Sequence, residues 1–119
     1  MPKRILYVED DVDIADIVKL ILKNAGFEVE TAYTGEHGIE KVTKDDFDLI
    51  LLDMMLPRMT GWDVFEAVKD KTDAKFAFLS SFNPTQETME RMKFHNISDY
   101  MMKPFKKAEL IARVSKILE

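Results

Sequence analysis

Asp48-Leu49-Ile50-Leu51-Leu52-Asp53 places four consecutive apolar residues between two carboxylates near the middle of the chain. A run this short, without the polar alternation of a half-solvated strand, reads as a strand buried on both faces. Ile5-Leu6-Tyr7-Val8, Phe76-Ala77-Phe78-Leu79 and the weaker Tyr100-Met101-Met102 read the same way, and residues 27–32 make a fifth strand. Stretches of helical period lie between them. The clearest is Ile14, Ile17, Val18, Ile21, Leu22 and Ala25, an amphipathic stripe that stops at Gly26. Weaker ones cover residues 35–43, 62–70, 85–95 and 107–118, the last with Leu110, Val114 and Ile117 on one stripe. Parallel neighbours need crossover connections, so regular alternation of strand and helix implies a parallel sheet covered by helices on both faces. The expected fold is α/β, a single doubly wound domain over residues 1–119.

Composition sets the outer limits. The 119 residues carry a formal charge of −5 and no cysteine. At roughly 150 residues per domain there is room for one core. A thiolate nucleophile, a disulfide framework and a cysteine metal site are excluded. A net acidic chain lacks the positive field that holds nucleic-acid phosphates, so no nucleic-acid contact is expected of this domain. The longest apolar runs are four residues, far below the ~20 of a membrane span. Met1-Pro2-Lys3-Arg4 leads into no signal-peptide core. The expected location is the cytoplasm, without membrane attachment.

Ligands of such open sheets sit beyond the carboxyl ends of the strands, so the residues ending each strand carry the functional information. Glu9, Asp10 and Asp11 follow the first strand, Asp53 the third, Ser80 and Ser81 the fourth, and Lys103 with Pro104 the fifth. Taken singly, several have ordinary uses: an acid can cap the first helix, a serine the fourth, and a lysine can simply be solvated. One cap uses one acid, however. Asn83-Pro84-Thr85-Gln86 also offers its own cap and first-turn proline, which leaves the serines free. Carboxylates ~5 Å apart would repel by roughly 3 kcal/mol per pair at an effective dielectric near 20. They require a cation or a proton. A hard divalent ion that keeps several waters, Mg²⁺, satisfies oxygen ligands best. Mg²⁺ beside a carboxylate, a lysine and a hydroxyl is the equipment of phosphoryl transfer.

These residues also carry a resemblance. Residues 5–11, the run from Asp48 through Asp53-Met54-Met55-Leu56-Pro57 with Gly61 after it, Leu79-Ser80-Ser81, and Asp99-Tyr100-Met101-Met102-Lys103-Pro104-Phe105 together resemble the receiver domain of two-component response regulators, end to end. The resemblance implies the flavodoxin-like strand order 2-1-3-4-5 and a cis peptide before Pro104. It implies Asp53 as phosphoacceptor, and Glu9, Asp10, Asp53 and the Met55 carbonyl around Mg²⁺. Ser80, with Ser81 beside it, matches the switch hydroxyl, Lys103 the phosphoryl-pairing lysine and Tyr100 the aromatic switch. Glu9 and Ser80 replace a more usual Asp and Thr.

The function so implied is regulatory rather than enzymatic. A sensor histidine kinase or small phosphodonor supplies a phosphoryl group to Asp53, and the face formed by helix 4, strand 5 and helix 5 changes. A downstream effector or a phosphorylation-dependent homodimer mate then docks there. Met55 and Phe82 flank the approach of hydrolytic water and, being apolar, imply slow self-dephosphorylation. His37 and His95 read as surface residues, Trp62 as a packing residue, and the eight methionines as flexible packing. A dehalogenase-type phosphatase would want an aspartate where Met55 stands, a flavodoxin a hydroxyl-rich phosphate loop where three acids stand, and a P-loop its Gly-Lys motif. The remaining alternative is a receiver-like interaction module that works without phosphorylation.

Overall fold

The computed structural model describes residues 1–119. Strands β1 (Arg4–Val8), β2 (Glu28–Ala32), β3 (Leu49–Asp53), β4 (Lys75–Ser80) and β5 (Asp99–Met102) alternate with helices α1 (Val12–Asn24), α2 (Gly35–Lys44), α3 (Gly61–Val68), α4 (Gln86–Phe94) and α5 (Lys107–Ile117). All strand neighbours are parallel, in the order β2-β1-β3-β4-β5. The chain order reverses at β1 and β3, which puts a crevice beyond their carboxyl ends.

Side-chain alternation sorts the strand residues onto two cores. Ile5, Tyr7, Leu49, Leu51, Ala77 and Leu79 pack with α1 and α5. Leu6, Val8, Ile50, Leu52, Phe76 and Phe78 pack with α2 and α3. Helix α5 buries Leu110, Val114 and Ile117, the stripe expected of it. Helix α1 ends with Gly26 at φ +104°, a conformation open to glycine and strained for other residues. No helix is long and apolar enough to cross a membrane.

Four local expectations need correction. In α1 the buried residues are Ala15, Val18 and Leu22, whereas Ile17 is exposed. At about 100° per residue Ile17 stands about 200° from Ala15 around the helix and so falls off the buried stripe. The cap of α4 is Thr85, whose hydroxyl accepts from Thr88 N–H at 3.0 Å, so Asn83 and Pro84 lie outside the helix. Beside the main sheet a short antiparallel hairpin pairs Met55–Leu56 with Met59–Thr60 around Arg58, at φ +65°. His95 is half-buried, packed edge-on against Phe65 and tilted against Trp62. The methionines divide: Met101 is core, while Met55 and Met89 are exposed.

Candidate functional site

The sheet ladder runs one residue past the strands and fixes the site's backbone. Glu9 N–H donates to the Ala32 carbonyl at 2.9 Å, Met54 N–H to Leu79 at 3.0 Å and Lys103 N–H to Ser80 at 2.7 Å. Glu9, Asp53 and Lys103 therefore reach one edge. Behind Asp53 the chain folds back tightly: Gly61 N–H donates to the Met54 carbonyl at 2.9 Å. A Cβ at Gly61 would meet the Asp53 carbonyl oxygen at 2.8 Å, so only glycine allows this approach. The turn aims Met55 N–H at Asp53 Oδ1, at 3.3 Å. At the other strand, Asp11 caps α1 through Ile14 N–H, leaving Glu9 and Asp10 for other partners.

Glu9, Asp10 and Asp53 each offer an oxygen within 4.8 Å of the others. Glu9 and Asp53 are buried, Asp10 exposed. Lys103 Nζ lies between the two buried acids, bonded to Glu9 Oε1 and 3.2 Å from Asp53 Oδ2. One ammonium thus faces three carboxylates. The charge shortfall shows in the protonation equilibria. Burial, then Glu9, pushes Asp53 up to about 7. Burial also opposes ionisation of Glu9, but hydrogen bonds with Asp53, Lys103 and Tyr7 outweigh it and hold that carboxyl below its usual range. Burial and Glu9 raise Asp10. Lys103, though partly desolvated, is held up by Glu9 and Asp53. The pair of buried acids behaves as one unit that retains a proton near neutrality. All-oxygen donors, partly buried and short of positive charge, fit a hard divalent cation.

A cleft of about 260 Å³ opens here, lined among others by Asp10, Asp53, Met55, Phe82 and Lys103. Met55 and Phe82 are exposed at its rim. Ser80 is buried and Ser81 exposed. Ser80 Oγ accepts from Phe82 N–H at 3.0 Å, and the half-buried Tyr100 donates its hydroxyl to the Phe82 carbonyl at 2.7 Å. Both expected switch side chains therefore grip the same residue's backbone, which residue type alone does not disclose. The Lys103–Pro104 peptide is cis.

From the sequence Tyr7 is only a strand residue. It is fully buried and donates its hydroxyl to Glu9 Oε1 at 2.7 Å; burial and Glu9 push its own ionisation far up, so it remains a donor. The signal for it was present: a residue two before Glu9 shares its face of an extended chain.

Fold and site together define an open, doubly wound α/β protein with an acidic crevice at its topological switch point. The family model for the response regulator receiver domain matches residues 5–115. The chain is 39% identical over 116 residues to the cell cycle response regulator CtrA of Brucella ovis, and likewise to that of Brucella canis, covering 97% of this chain and 50% of theirs. Among solved structures, a CheY-like response regulator receiver domain protein from Methanospirillum hungatei superposes with a TM-score of 0.90 at 32% identity, over 99% of this chain and 94% of that one. Chemotaxis protein CheY4 of Vibrio cholerae superposes with a TM-score of 0.89 at 28% identity, over 98% and 99%. The chain belongs to the response regulator receiver domain family. It spans about half the length of the curated relatives it matches.

Proposed function

We propose that residues 1–119 form one regulatory module in which Asp53 accepts a phosphoryl group and the face formed by α4, β5 and α5 reports its presence. One observation carries this reading: three carboxylates within 4.8 Å of one another share a single lysine at the switch point of the sheet. Glu9, Asp10, Asp53 and the Met55 backbone carbonyl would hold Mg²⁺. When bound, the ion would offset the charge of the carboxylates and of the transferring phosphoryl oxygens. An oxygen of ionised Asp53 attacks phosphorus in line, forming the O–P bond of an aspartyl phosphate. The P–N bond of a sensor kinase's phosphohistidine breaks, and the imidazole nitrogen leaves with the electron pair. Lys103, beside Asp53 Oδ2, pairs with the arriving charge of about −2.

The Ser80 hydroxyl then exchanges its bond with Phe82 N–H for a phosphoryl oxygen. Freed from that bond, the Phe82 peptide moves, and Tyr100, which is tied to the carbonyl of that residue, moves with it. Such a two-state element shifts only by the differential stabilisation the phosphoryl group supplies, so the chain has some activity without it. Met55 and Phe82 offer no polar group to orient water, which makes self-dephosphorylation slow. The partners are a sensor histidine kinase, a downstream effector or second copy of the chain, and neither nucleic acid nor membrane; the location is the cytoplasm.

Intact-mass measurement after incubation with Mg²⁺ and acetyl phosphate tests the reading. One phosphoryl group is added, and Asp53→Asn abolishes its incorporation. Failure of the unsubstituted protein to take it up would leave a phosphorylation-independent interaction module instead.

A further inference from the structure

Glu9 has one methylene more than the aspartate usual at its position, so its carboxylate has an extra rotatable bond to be fixed. The hydrogen bonds divide its two oxygens. Oε1 takes two donors, the Tyr7 hydroxyl at 2.7 Å and the Lys103 ammonium. Oε2 accepts from Asp11 N–H, at a longer 3.3 Å. Tyr7 itself is immobile: it is fully buried in the core under α1 and α5, and its strand neighbours are Thr31 on one side and Leu51 on the other. Lys103, by contrast, is shared between Glu9 and Asp53 and sits at the cleft, so it is a poor anchor for a carboxylate that must stay in place when the cleft is occupied.

We propose that Tyr7 is a positioning residue for the acidic site: its buried hydroxyl fixes Oε1 of Glu9 and so turns Oε2 toward the cation. Groups that orient a metal-binding side chain from behind commonly change affinity by roughly 10–100-fold when removed. The assignment rests on the cation-binding reading above and adds to it a residue that touches neither ion nor phosphoryl group. It also accounts for a glutamate here. A tyrosine on the same strand face, two residues back, meets the longer side chain, whereas an aspartate's carboxylate would fall short by about one bond.

The test is a double-mutant cycle read by amide shifts in nitrogen-15 spectra during titration with Mg²⁺ alone, without phosphodonor. Tyr7→Phe keeps the ring and weakens Mg²⁺ binding about tenfold. In a Glu9→Asp background, whose carboxylate cannot reach the hydroxyl, the same change alters affinity less than about twofold. Unaltered affinity in Tyr7→Phe alone overturns the assignment, as does an equal loss in both backgrounds, which would mark a general packing role. Thermal melts of all four proteins guard the comparison: retained melting temperature with weakened binding supports positioning, and weakening only in proportion to lost stability overturns it. Absence of Mg²⁺-dependent shifts in the unsubstituted protein defeats the cation site itself, and this assignment with it.

Discussion

Charged clusters sit at both ends of the sheet, and they are built differently. At the amino end Arg4 pairs with Glu30 at 2.6 Å and Glu28 at 3.4 Å, and Lys41 pairs with Glu30 at 2.8 Å. Two cations there meet two acids, with side chains such as Arg4 and Glu30 about a third exposed, at 33% and 34%. At the carboxyl end Lys103 is 12% exposed and Glu9 1%, and one cation meets three acids. In the first cluster Glu28 and Glu30 each have a cation within ion-pairing distance and water beside them. The second, with all three carboxylates ionised, is short by two positive charges, and Glu9 and Asp53 in it are buried. Ion pairs of the first kind contribute little because water already satisfies each partner. A like-charge excess in a desolvated cleft raises proton affinity or draws in a cation. The contrast separates charge used to finish a surface from charge held ready for a ligand.

The sharpest way to break that contrast is to remove the single cation of the carboxyl-end cluster. Lys103→Met should slow phosphorylation by acetyl phosphate by about 10²-fold or more, the scale seen when one preorganised charge-stabilising donor is lost. Stopped or quenched-flow rates at saturating Mg²⁺ would read this. A loss of only a few-fold would mean that Lys103 is a structural counterion like Lys41. The rim comes next. Met55→Asn with Phe82→Glu places polar groups beside the approach to Asp53, and the lifetime of the phosphorylated form should fall by about tenfold, less than the roughly 10²–10⁴-fold of a fully positioned general base because the new groups only orient water. An unchanged lifetime would make both residues mere gap fillers.

How far the sequence disclosed all this depends on the range of the interaction. The strands were legible because four-residue apolar runs leave few alternatives, and the strand-end acids and Lys103 because topology gathers strand ends. The order of the strands came from the resemblance, since apolar runs do not state their neighbours. Thr85 as the α4 cap was hidden by a competition between adjacent capping residues, which a local hydroxyl-to-amide distance decides. Ile17 is exposed because tertiary packing centres the buried stripe of α1 on Ala15, Val18 and Leu22, a choice among apolar positions that periodicity alone leaves open. The grip of Ser80 and Tyr100 on Phe82 joins side chains to a backbone whose path residue types do not specify. His95 became half-buried because α3 and α4 bring Trp62 and Phe65 to it.

A stability measurement sharpens the comparison without any phosphodonor. Asp53 holds its proton up to about pH 7 in the folded chain but only to about 3.8 when exposed. The folded state therefore binds more protons through that window, and its stability falls as pH rises from about 4 to 7. Above the window the metal-free protein carries the full burden of the extra charge. Asp53→Asn should stabilise it there by on the order of 2 kcal/mol, several degrees in melting temperature, with the gain vanishing below about pH 4. Mg²⁺ should raise the melting temperature of the parent more than that of the variant. Equal melting temperatures at pH 8 in chelator would show that the three carboxylates coexist without strain.

The smallest effect belongs to the solvated cluster. Lys41 is the first cause of the lowered Glu30 pKa, with Arg4 adding to it against partial burial. A carboxyl held below its ordinary value contributes stability that is present above that value and lost as pH falls through the folded one, the reverse of Asp53. Lys41→Ala removes one of two cations from Glu30 and leaves the pair with Arg4 intact at 2.6 Å. With both partners about a quarter to a third exposed, solvent takes up most of the lost attraction, so the variant should be less stable by no more than about 0.5–1 kcal/mol at pH 7. That difference should shrink in 1 M salt, where screening acts over about 3 Å, and should disappear in acid once Glu30 is protonated. Phosphoryl uptake at Asp53, at the opposite end of the sheet, should be unaffected. A loss of several kcal/mol, or one indifferent to salt, would mean that the amino-end cluster is as desolvated in its energetics as the one around Lys103, and the distinction between the two ends would fail.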